Sequence, residues 1–260
     1  MEVVVLPTVE DGAELVTVAI ARLVERTPTA TLGLATGSSP LHVYRRLVDR
    51  SRRGELRFAR ARAFLLDEYV GLPADHPESY RSVIRRELTD ALDLPRDAVH
   101  GLDGTAADLV AECARYEQAL AAAGGVDLQL LGIGTNGHLG FNEPGSSLAS
   151  RTRLKTLTHS TRQDNARFFP SPDDVPRHVL TQGLGTIRDA RHLVLLASGA
   201  RKAAAVAAAV EGPVSASCPA SVLRLHPHVS VVLDEAAAGR LATLEQHRET
   251  WEGKPSWQGL

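Results

Sequence analysis

A chain of 260 residues, of which 43% are hydrophobic and 23% charged, has the composition of a globular protein, which excludes the disordered and fibrous classes. Its formal net charge of −2 gives no general attraction to nucleic acid or to an anionic membrane, so neither is an expected partner and local groups must hold any anionic ligand. Two cysteines exclude a disulfide framework, and no apolar run approaches the roughly 20 residues of a spanning helix, so we expect a cytoplasmic protein.

Short apolar runs alternate along the chain with amphipathic stretches of helical period. The runs predict strands over Val3–Leu6, Thr31–Ala35, Arg62–Leu66, Leu128–Leu131, His192–Ala197 and Val229–Leu233. Between them, apolar residues three and four positions apart predict core-facing helix stripes at Leu15, Val18, Ala19 and Leu23 and at Leu109, Cys113, Tyr116 and Leu120. This alternation predicts an α/β fold with a mostly parallel, open sheet covered by helices on both faces, in a single domain over residues 1–260.

A glycine and three hydroxyl side chains, Thr36-Gly37-Ser38-Ser39, lie between a predicted strand and the next helix. Such hydroxyls can cap a helix without any ligand, but free amides at a helix start also bind phosphate, and the glycine favours a phosphate cradle. Lys202 and Arg167 are candidate cationic partners. The alanine-rich stretch Ala200–Val210 predicts a helix. A cation at the start of that helix is unfavourable to it, which supports a role for Lys202, whereas Arg167 alone is also consistent with a solvated surface charge.

A second polar cluster, Asp67-Glu68-Tyr69, follows another apolar run. Adjacent residues in an extended chain point to opposite sides, so only one of the two carboxylates can face a ligand. Beside a tyrosine and an apolar wall, that carboxylate would have a raised pKa, suited to taking a proton from carbon. The alternative is a capping pair at the surface.

Thirteen residues from Gly132 to Pro144 form a glycine-rich loop after a predicted strand. The literal match to the dinucleotide fingerprint Gly-x-Gly-x-x-Gly is rejected, because no helix can open across Glu143-Pro144 and no acid follows at the required distance. Asn136, His138 and Glu143 instead suggest general acid–base chemistry, with the carboxylate raising the pKa of the histidine. Histidines and cysteines lack metal-ligand spacing, so no metal site is predicted.

Four polar clusters thus follow candidate strands: residues 36–39, 67–69, 132–143 and 198–202. Ligands of open α/β sheets bind outside the carboxyl ends of the strands, where the strand order reverses. We therefore expect these clusters to converge on one edge of the sheet around a small phosphorylated molecule.

Taken together, the clusters resemble the glucosamine-6-phosphate deaminase family, within the wider group that includes 6-phosphogluconolactonases. The resemblance covers nearly the whole chain and rests on Ala35-Thr36-Gly37-Ser38-Ser39-Pro40, Asp67–Pro73, His76–Tyr80, Gly132–Pro144, Ser146–Arg153 and Arg167-Phe168-Phe169. The lactonase branch typically continues Gly-His-Thr-Ala-Ser where this chain has Gly137-His138-Leu139-Gly140, so the deaminase branch fits better.

The resemblance implies a Rossmann-like fold and the conversion of glucosamine 6-phosphate and water to fructose 6-phosphate and ammonium, without an organic cofactor. Carried over by position, Asp67 is the base that moves a proton between C2 and C1. His138 opens the sugar ring with help from Asn136 and Glu143. The phosphate ligands are Thr36, Gly37, Ser38, Ser39, Arg167 and Lys202.

Allosteric members of the family have an activator pocket whose residues match Ser146, Arg153, Lys155 and Thr156, together with a tyrosine near the C-terminus. This chain keeps those four residues but has no tyrosine in its tail, Gln246–Trp251. Activation by N-acetylglucosamine 6-phosphate therefore stays open, as does a homo-oligomer. Two other functions also stay open: a lactonase-like hydrolase, and a sugar-phosphate sensor without catalytic activity.

Overall fold

The computed structural model describes residues 1–255 and 257–260. The strands are β1 (Glu2–Leu6), β2 (Thr31–Leu34), β3 (Arg62–Leu65), β4 (Asp67–Tyr69), β5 (Val99–His100), β6 (Leu128–Leu131), β7 (Arg153–Thr156), β8 (His178–Thr181), β9 (His192–Ala197) and β10 (Val229–Asp234). The helices are α1 (Val9–Arg26), α2 (Ser38–Arg52), α3 (Tyr80–Glu87), α4 (Leu109–Ala122), α5 (His159–Asn165), α6 (Leu184–Arg188), α7 (Ala203–Val210), α8 (Glu235–Ala238) and α9 (Leu244–Glu252).

The main sheet has seven strands in the order β1-β10-β9-β6-β2-β3-β5, and every neighbouring pair is parallel. Alternate residues of its central strands enter two separate cores: Leu130 and Val194 pack with α1 and α2, while Leu131 and Leu195 pack with α4 and α7. Because both faces are covered, these strands are apolar at nearly every position. The predicted α/β class, with a mostly parallel sheet between helices, is confirmed.

A second sheet of three antiparallel strands, in the order β4-β8-β7, was not predicted. Asp67-Glu68-Tyr69, expected as a polar cluster after a strand, is itself strand β4 of this sheet. The chain passes between the sheets at Leu66, whose amide donates to Leu34 and whose carbonyl accepts from Gln182, both at 2.9 Å. The sequence signal for this second sheet was weak because β4 has only three residues and β7 alternates half-buried and exposed positions.

The prediction of which α1 residues face the core is wrong, because the buried face is adjacent to the predicted one. Leu15, Val18, Ala19 and Leu23 are only half-buried, whereas the residues that enter the core are Ala13, Val16, Ile20 and Val24. α1 carries two adjacent apolar faces, and the predicted one lines a cavity of about 420 Å³ together with residues 257–260. On α4 the prediction is confirmed, since Cys113, Tyr116 and Leu120 are buried.

The order β9-β6-β2-β3 places the carboxyl ends of four parallel strands side by side. The segments that follow these strands begin at residues 35, 66, 132 and 198, so the four polar clusters lie along one edge, as predicted. None of the described helices combines the length and the hydropathy needed to cross a bilayer.

Candidate active site

The loop after β2 leaves the start of α2 open to an anion. Gly37 is the N-cap and has φ of 118°, a conformation that glycine adopts without strain. Within the described residues, no side chain caps the first turn of α2, so the capping alternative for Thr36–Ser39 is wrong. Free amides at a helix start, together with the helix dipole, favour a bound phosphate.

The loop after β9 meets the first turn of α2. Ser39 Oγ lies 3.3 Å from Ser198 Oγ, and the amide of Gly199 donates to both carboxylate oxygens of Asp234 at 3.0 Å. Gly199 has φ of 86° and begins the turn that carries Lys202 to the N-cap of α7. The sequence predicts Lys202 within the first turn of this helix, whereas in the structure Lys202 precedes α7.

Burial and the neighbouring cations Arg201 and Arg167 lower the pKa of the Lys202 ammonium, against the opposing effect of Asp164. Arg167 is exposed in the turn Ala166–Phe168, with its guanidinium 4.7 Å from the centre of the Phe168 ring. Both predicted cations therefore lie close enough to interact. A phosphate between them would offset their mutual repulsion.

Asp67 is 5% exposed on β4, and its carboxylate accepts no hydrogen bond from any residue that the structure describes. Burial, followed by the adjacent Glu68, raises the pKa of Asp67 well above its ordinary value. This agrees with the direction expected from the sequence. A carboxylate with few stabilising contacts and a raised pKa is suited to accept a proton from a weak carbon acid.

Glu68 has a structural position that separates it from Asp67. Its carboxylate accepts from the amides of Tyr69, Tyr80 and Arg81 at 2.8–2.9 Å and so caps the start of α3. The capping alternative therefore describes Glu68, although this residue is buried and not at the surface. Asp67 is the carboxylate of the pair that remains available.

Asn136, His138 and Glu143 form one hydrogen-bonded relay. Asn136 Oδ1 lies 2.8 Å from His138 Nδ1, and Asn136 Nδ2 donates to Glu143 Oε2 at 2.8 Å. A carboxylate only accepts, which orients the amide of Asn136 so that its oxygen faces the imidazole. Nδ1 of His138 therefore carries a hydrogen, and Nε2 is left to exchange a proton with a ligand.

The predicted rise in the pKa of His138 is wrong. Burial lowers the pKa of the imidazole and, with the nearby Lys202, outweighs the opposing effect of Glu143, whose Oε2 is 3.8 Å from Nδ1. His138 is therefore neutral at neutral pH. A neutral imidazole with a free Nε2 begins a reaction as a base.

Glycine in this loop provides space for the imidazole. A Cβ added at Gly134 would lie 2.2 Å from Cε1 of His138, so the ring rests against the backbone. Residues 132–145 form turns and do not open a helix, as predicted when the dinucleotide fingerprint was rejected.

The loop after β6 reaches the strand that carries Asp67. The amide of Phe141 donates to Thr181 Oγ1 at 3.2 Å, and Thr181 is the partner of Asp67 in the β4–β8 pairing. The ring of Phe141 lies 5.9 Å from the rings of both Tyr69 and Tyr80, measured between centroids. The structure thus brings the two predicted acid–base clusters to adjoining positions.

Sequence reasoning missed two hydroxyls that bind Glu143. Thr158 Oγ1 donates to Glu143 Oε1 at 3.1 Å, and Thr161 Oγ1 donates to the same oxygen. Burial opposes the ionisation of Glu143, but the hydrogen bonds from Thr161 and Asn136 and the nearby imidazole outweigh it and lower its pKa. The available signal was the spacing Thr-x-x-Thr at a helix start.

Three of the four candidate activator residues lie on β7, whereas Ser146 follows the relay in sequence and its amide donates to the carbonyl of Glu143 at 3.0 Å. Arg153 and Lys155 are half-buried on β7, and Thr156 is exposed with its hydroxyl 3.3 Å from His178 Nδ1. Ser146 is buried, with its hydroxyl oxygen unpaired among residues 1–255 and 257–260. Across the same residues, no cluster of three or more His, Cys, Asp or Glu side chains could hold a metal ion.

A parallel sheet with an open helix start and acid–base side chains at its carboxyl edge is typical of Rossmann-like proteins that bind small anionic ligands. The sequence profile described as "Glucosamine-6-phosphate isomerases/6-phosphogluconolactonase" matches residues 8–232 of this chain. The chain belongs to this family.

Relatives in the family match the whole chain. The proteins from Beutenbergia cavernae and Streptomyces coelicolor are 62% and 60% identical over 261 residues, covering 100% of each chain, and both are named glucosamine-6-phosphate deaminase. A solved structure of a monomeric glucosamine-6-phosphate deaminase has a TM-score of 0.91 and 43% identity, covering 92% of this chain and 100% of its own. The 6-phosphogluconolactonase from Trypanosoma brucei has a TM-score of 0.71 and 27% identity, covering 93% of this chain and 98% of its own.

Proposed function

We propose that this protein is a glucosamine-6-phosphate deaminase, which converts glucosamine 6-phosphate and water to fructose 6-phosphate and ammonium. The names of the full-length relatives at about 60% identity support this assignment over the lactonase branch. The main support from the site is that Asp67 is buried, with a carboxylate that accepts no hydrogen bond within residues 1–255 and 257–260, and that it is separate from the Asn136–His138–Glu143 relay. A lactonase would not need a carboxylate to take a proton from carbon.

The proposed reaction begins with the phosphate held at the start of α2. The amides of Gly37–Ser39 and the charges of Lys202 and Arg167 fix one end of the sugar, so that its C1 and C2 end lies at the acid–base groups. Fixing the substrate converts later proton transfers into reactions within one complex. The resulting orientation is the contribution of the phosphate site to catalysis.

His138 then opens the ring. Nε2 of the neutral imidazole takes the proton from the C1 hydroxyl and returns a proton to the ring oxygen as the C1–O5 bond breaks, which leaves an aldehyde at C1. Nδ1–H stays bonded to Asn136, and the carboxylate of Glu143 stabilises the imidazolium formed between the two transfers. The relay holds the imidazole in the tautomer that this step requires.

Asp67 carries out the isomerisation. Its carboxylate removes the proton from C2 and delivers it to C1. The C1 aldehyde thereby becomes an alcohol, and the C2 amine becomes an imine. Water adds at C2 and ammonia leaves as ammonium, giving the ketose. The low polarity around Asp67 favours transfer of its proton to carbon over loss to solvent.

Ammonium release is the direct test. The wild-type protein is expected to release ammonium from glucosamine 6-phosphate, and in deuterium oxide the fructose 6-phosphate formed should carry deuterium at C1. Galactosamine 6-phosphate and 6-phosphogluconolactone are run in parallel. Lactone hydrolysis without ammonium release would assign the lactonase function, and binding of glucosamine 6-phosphate without turnover would assign a sensor.

Replacing Asn136 with aspartate is expected to retain turnover and to move the pH profile of kcat to higher pH. The new carboxylate lies beside Nδ1 of His138 and cannot donate to Glu143, so negative charge accumulates near the imidazole and raises its pKa. The pH dependence of ammonium release measures the effect. An unchanged profile would show that His138 does not govern the pH dependence.

Replacing Lys202 with methionine is expected to raise KM about 10- to 100-fold while kcat changes little, since a charge-assisted hydrogen bond contributes about 1.5–3 kcal/mol. Steady-state kinetics with glucosamine 6-phosphate measure the change. The matched control is Arg201→Met, which removes an adjacent exposed cation. Equal effects of the two substitutions would contradict a specific phosphate contact by Lys202.

Compartment and assembly follow as parts of the same proposal. Cys113 and Cys218 are both free, which supports a reducing cytoplasm. The related structure at 43% identity is described as monomeric, and the tail of this chain lacks the tyrosine of the activator pocket, so a monomer without activation is favoured over a homo-oligomer.

A further inference from the structure

The carboxylate of Glu143 is held from two sides by different parts of the chain. Oε2 accepts from Asn136 in its own loop, whereas Oε1 accepts from Thr158 at 3.1 Å and from Thr161, which belong to the segment that begins α5. Three donors therefore fix both oxygens of one carboxylate that is 5% exposed. Two of them come from residues 15 and 18 positions further along the chain.

Among the described residues, the hydroxyl of Thr161 bonds no backbone group of α5, and its local contact is with Thr158 Oγ1 at 3.1 Å. Thr158 already caps α5, because its Oγ1 accepts from the amide of Thr161 at 3.2 Å. A threonine within a helix commonly bonds the carbonyl four residues earlier, as Thr17 of α1 does with Ala13 at 2.7 Å. Thr161, which is 3% exposed, donates instead to the carboxylate of another element.

We propose that Thr161, assisted by Thr158, is a positioning residue that holds Glu143 against Asn136 and thereby orients the imidazole of His138 for ring opening. This inference rests on the proposed function. Thr161 reaches no reacting atom in this arrangement: it acts through Glu143, Asn136 and His138 in sequence. The two threonines extend the relay of three residues found from the sequence to five residues.

The charged groups around the relay come from three elements. His138 and Glu143 share the loop after β6, Lys202 precedes α7, and Asp164 lies on α5 with its carboxylate 3.4 Å from Thr135 Oγ1. A change at Thr161 alters none of these charges. Loss of its hydroxyl removes a donor to the ionised carboxylate and so raises the pKa of Glu143.

The test compares Thr161→Val with Thr161→Ser. Valine has the shape of threonine without the hydroxyl. We expect kcat to fall about tenfold, which is less than the 10²–10⁴-fold that a whole acid–base group contributes, because Thr161 only positions such a group. KM should stay nearly unchanged. The acidic limb of the kcat profile should move to higher pH. Serine retains the hydroxyl and should restore both kcat and the profile.

Thr17→Val is the matched control, because it also replaces a buried helical threonine but one that bonds only within α1. A fall in kcat of the same size in Thr17→Val and Thr161→Val, or a pH profile that Thr161→Val leaves in place, would overturn the inference. If Thr161→Val does not fold, Thr161→Ala replaces it in the comparison with Thr161→Ser.

A titration that does not depend on turnover separates this inference from the proposed function. The ¹³C resonance of the Glu143 carboxyl, assigned with Glu143→Gln, is followed against pH in wild type and in the valine variant. A higher pKa in the variant is expected, and an identical titration would refute the positioning role. A wild-type protein that releases no ammonium would instead refute the proposed function, whatever the titration shows.

Discussion

Replacing Asp67 with asparagine is expected to lower kcat for ammonium release by about 10³-fold, within the 10²–10⁴-fold that a positioned acid–base group supplies. Asparagine matches the shape of aspartate but cannot accept the C2 proton at neutral pH, so KM should change by less than about threefold. Incorporation of solvent deuterium at C1 should fall with kcat. The matched control is Asp97→Asn, which removes an exposed carboxylate on the turn Arg96–Ala98.

The same substitution is expected to stabilise the protein. Burial raises the pKa of Asp67, so folding favours its neutral form, and the associated stability is lost as the pH rises from the unfolded pKa through the folded pKa. Asparagine remains neutral throughout, so Tm at pH 7 should be higher than in wild type, and the difference should shrink as the pH falls. An active variant with an unchanged Tm would show that Asp67 is not the base and that its buried carboxylate does not destabilise the folded protein at pH 7.

Replacing Gly134 with alanine is expected to lower kcat about 10²-fold without changing any group that exchanges protons, again within the range for loss of one acid–base group. The added Cβ would lie 2.2 Å from Cε1 and 2.3 Å from Nδ1 of His138, so the imidazole must leave its contact with Asn136. The side chain of His138 is 20% exposed, so it can move towards solvent without unfolding the protein. The effect should therefore fall on kcat and not on Tm.

Gly101→Ala is the matched control, because its added Cβ would meet only Leu65 Cδ2, at 3.6 Å, an ordinary contact. Steady-state kinetics and thermal unfolding of both variants measure the comparison. If Gly134→Ala retained wild-type kcat, the imidazole would not need the position in which Asn136 holds it.

The parts of the fold that the sequence predicted are those that a local pattern encodes. β6, β9 and β10 are buried on both faces and are therefore apolar at most positions, a pattern that the sequence shows directly. β7 pairs with a short antiparallel neighbour and has one apolar residue in four positions, a composition shared with many loops. On α1, two adjacent apolar faces compete, and only packing against the sheet decides which one is buried.

In the candidate site, too, contacts between residues close in sequence could be predicted, whereas contacts between distant residues could not. Asn136, His138 and Glu143 lie within eight residues of one another, so their relay could be inferred from spacing alone. The contact between Ser39 and Ser198 joins residues 159 positions apart, and the bonds from Thr158 and Thr161 to Glu143 depend on where α5 folds back. The pKa of His138 depends on burial and on Lys202, neither of which its sequence neighbours reveal.

The passage of the chain through Leu66 has a consequence for motion during turnover. The residue preceding Asp67 is tied by its amide to the large sheet and by its carbonyl to the small one. The turn that carries the exposed Arg167 is expected to adjust to an incoming sugar while this junction stays fixed, because displacing the junction would break hydrogen bonds in both sheets. The carboxylate that must meet C2 with sub-ångström accuracy is thus attached to the scaffold, and the cation that meets the phosphate is attached to an exposed turn.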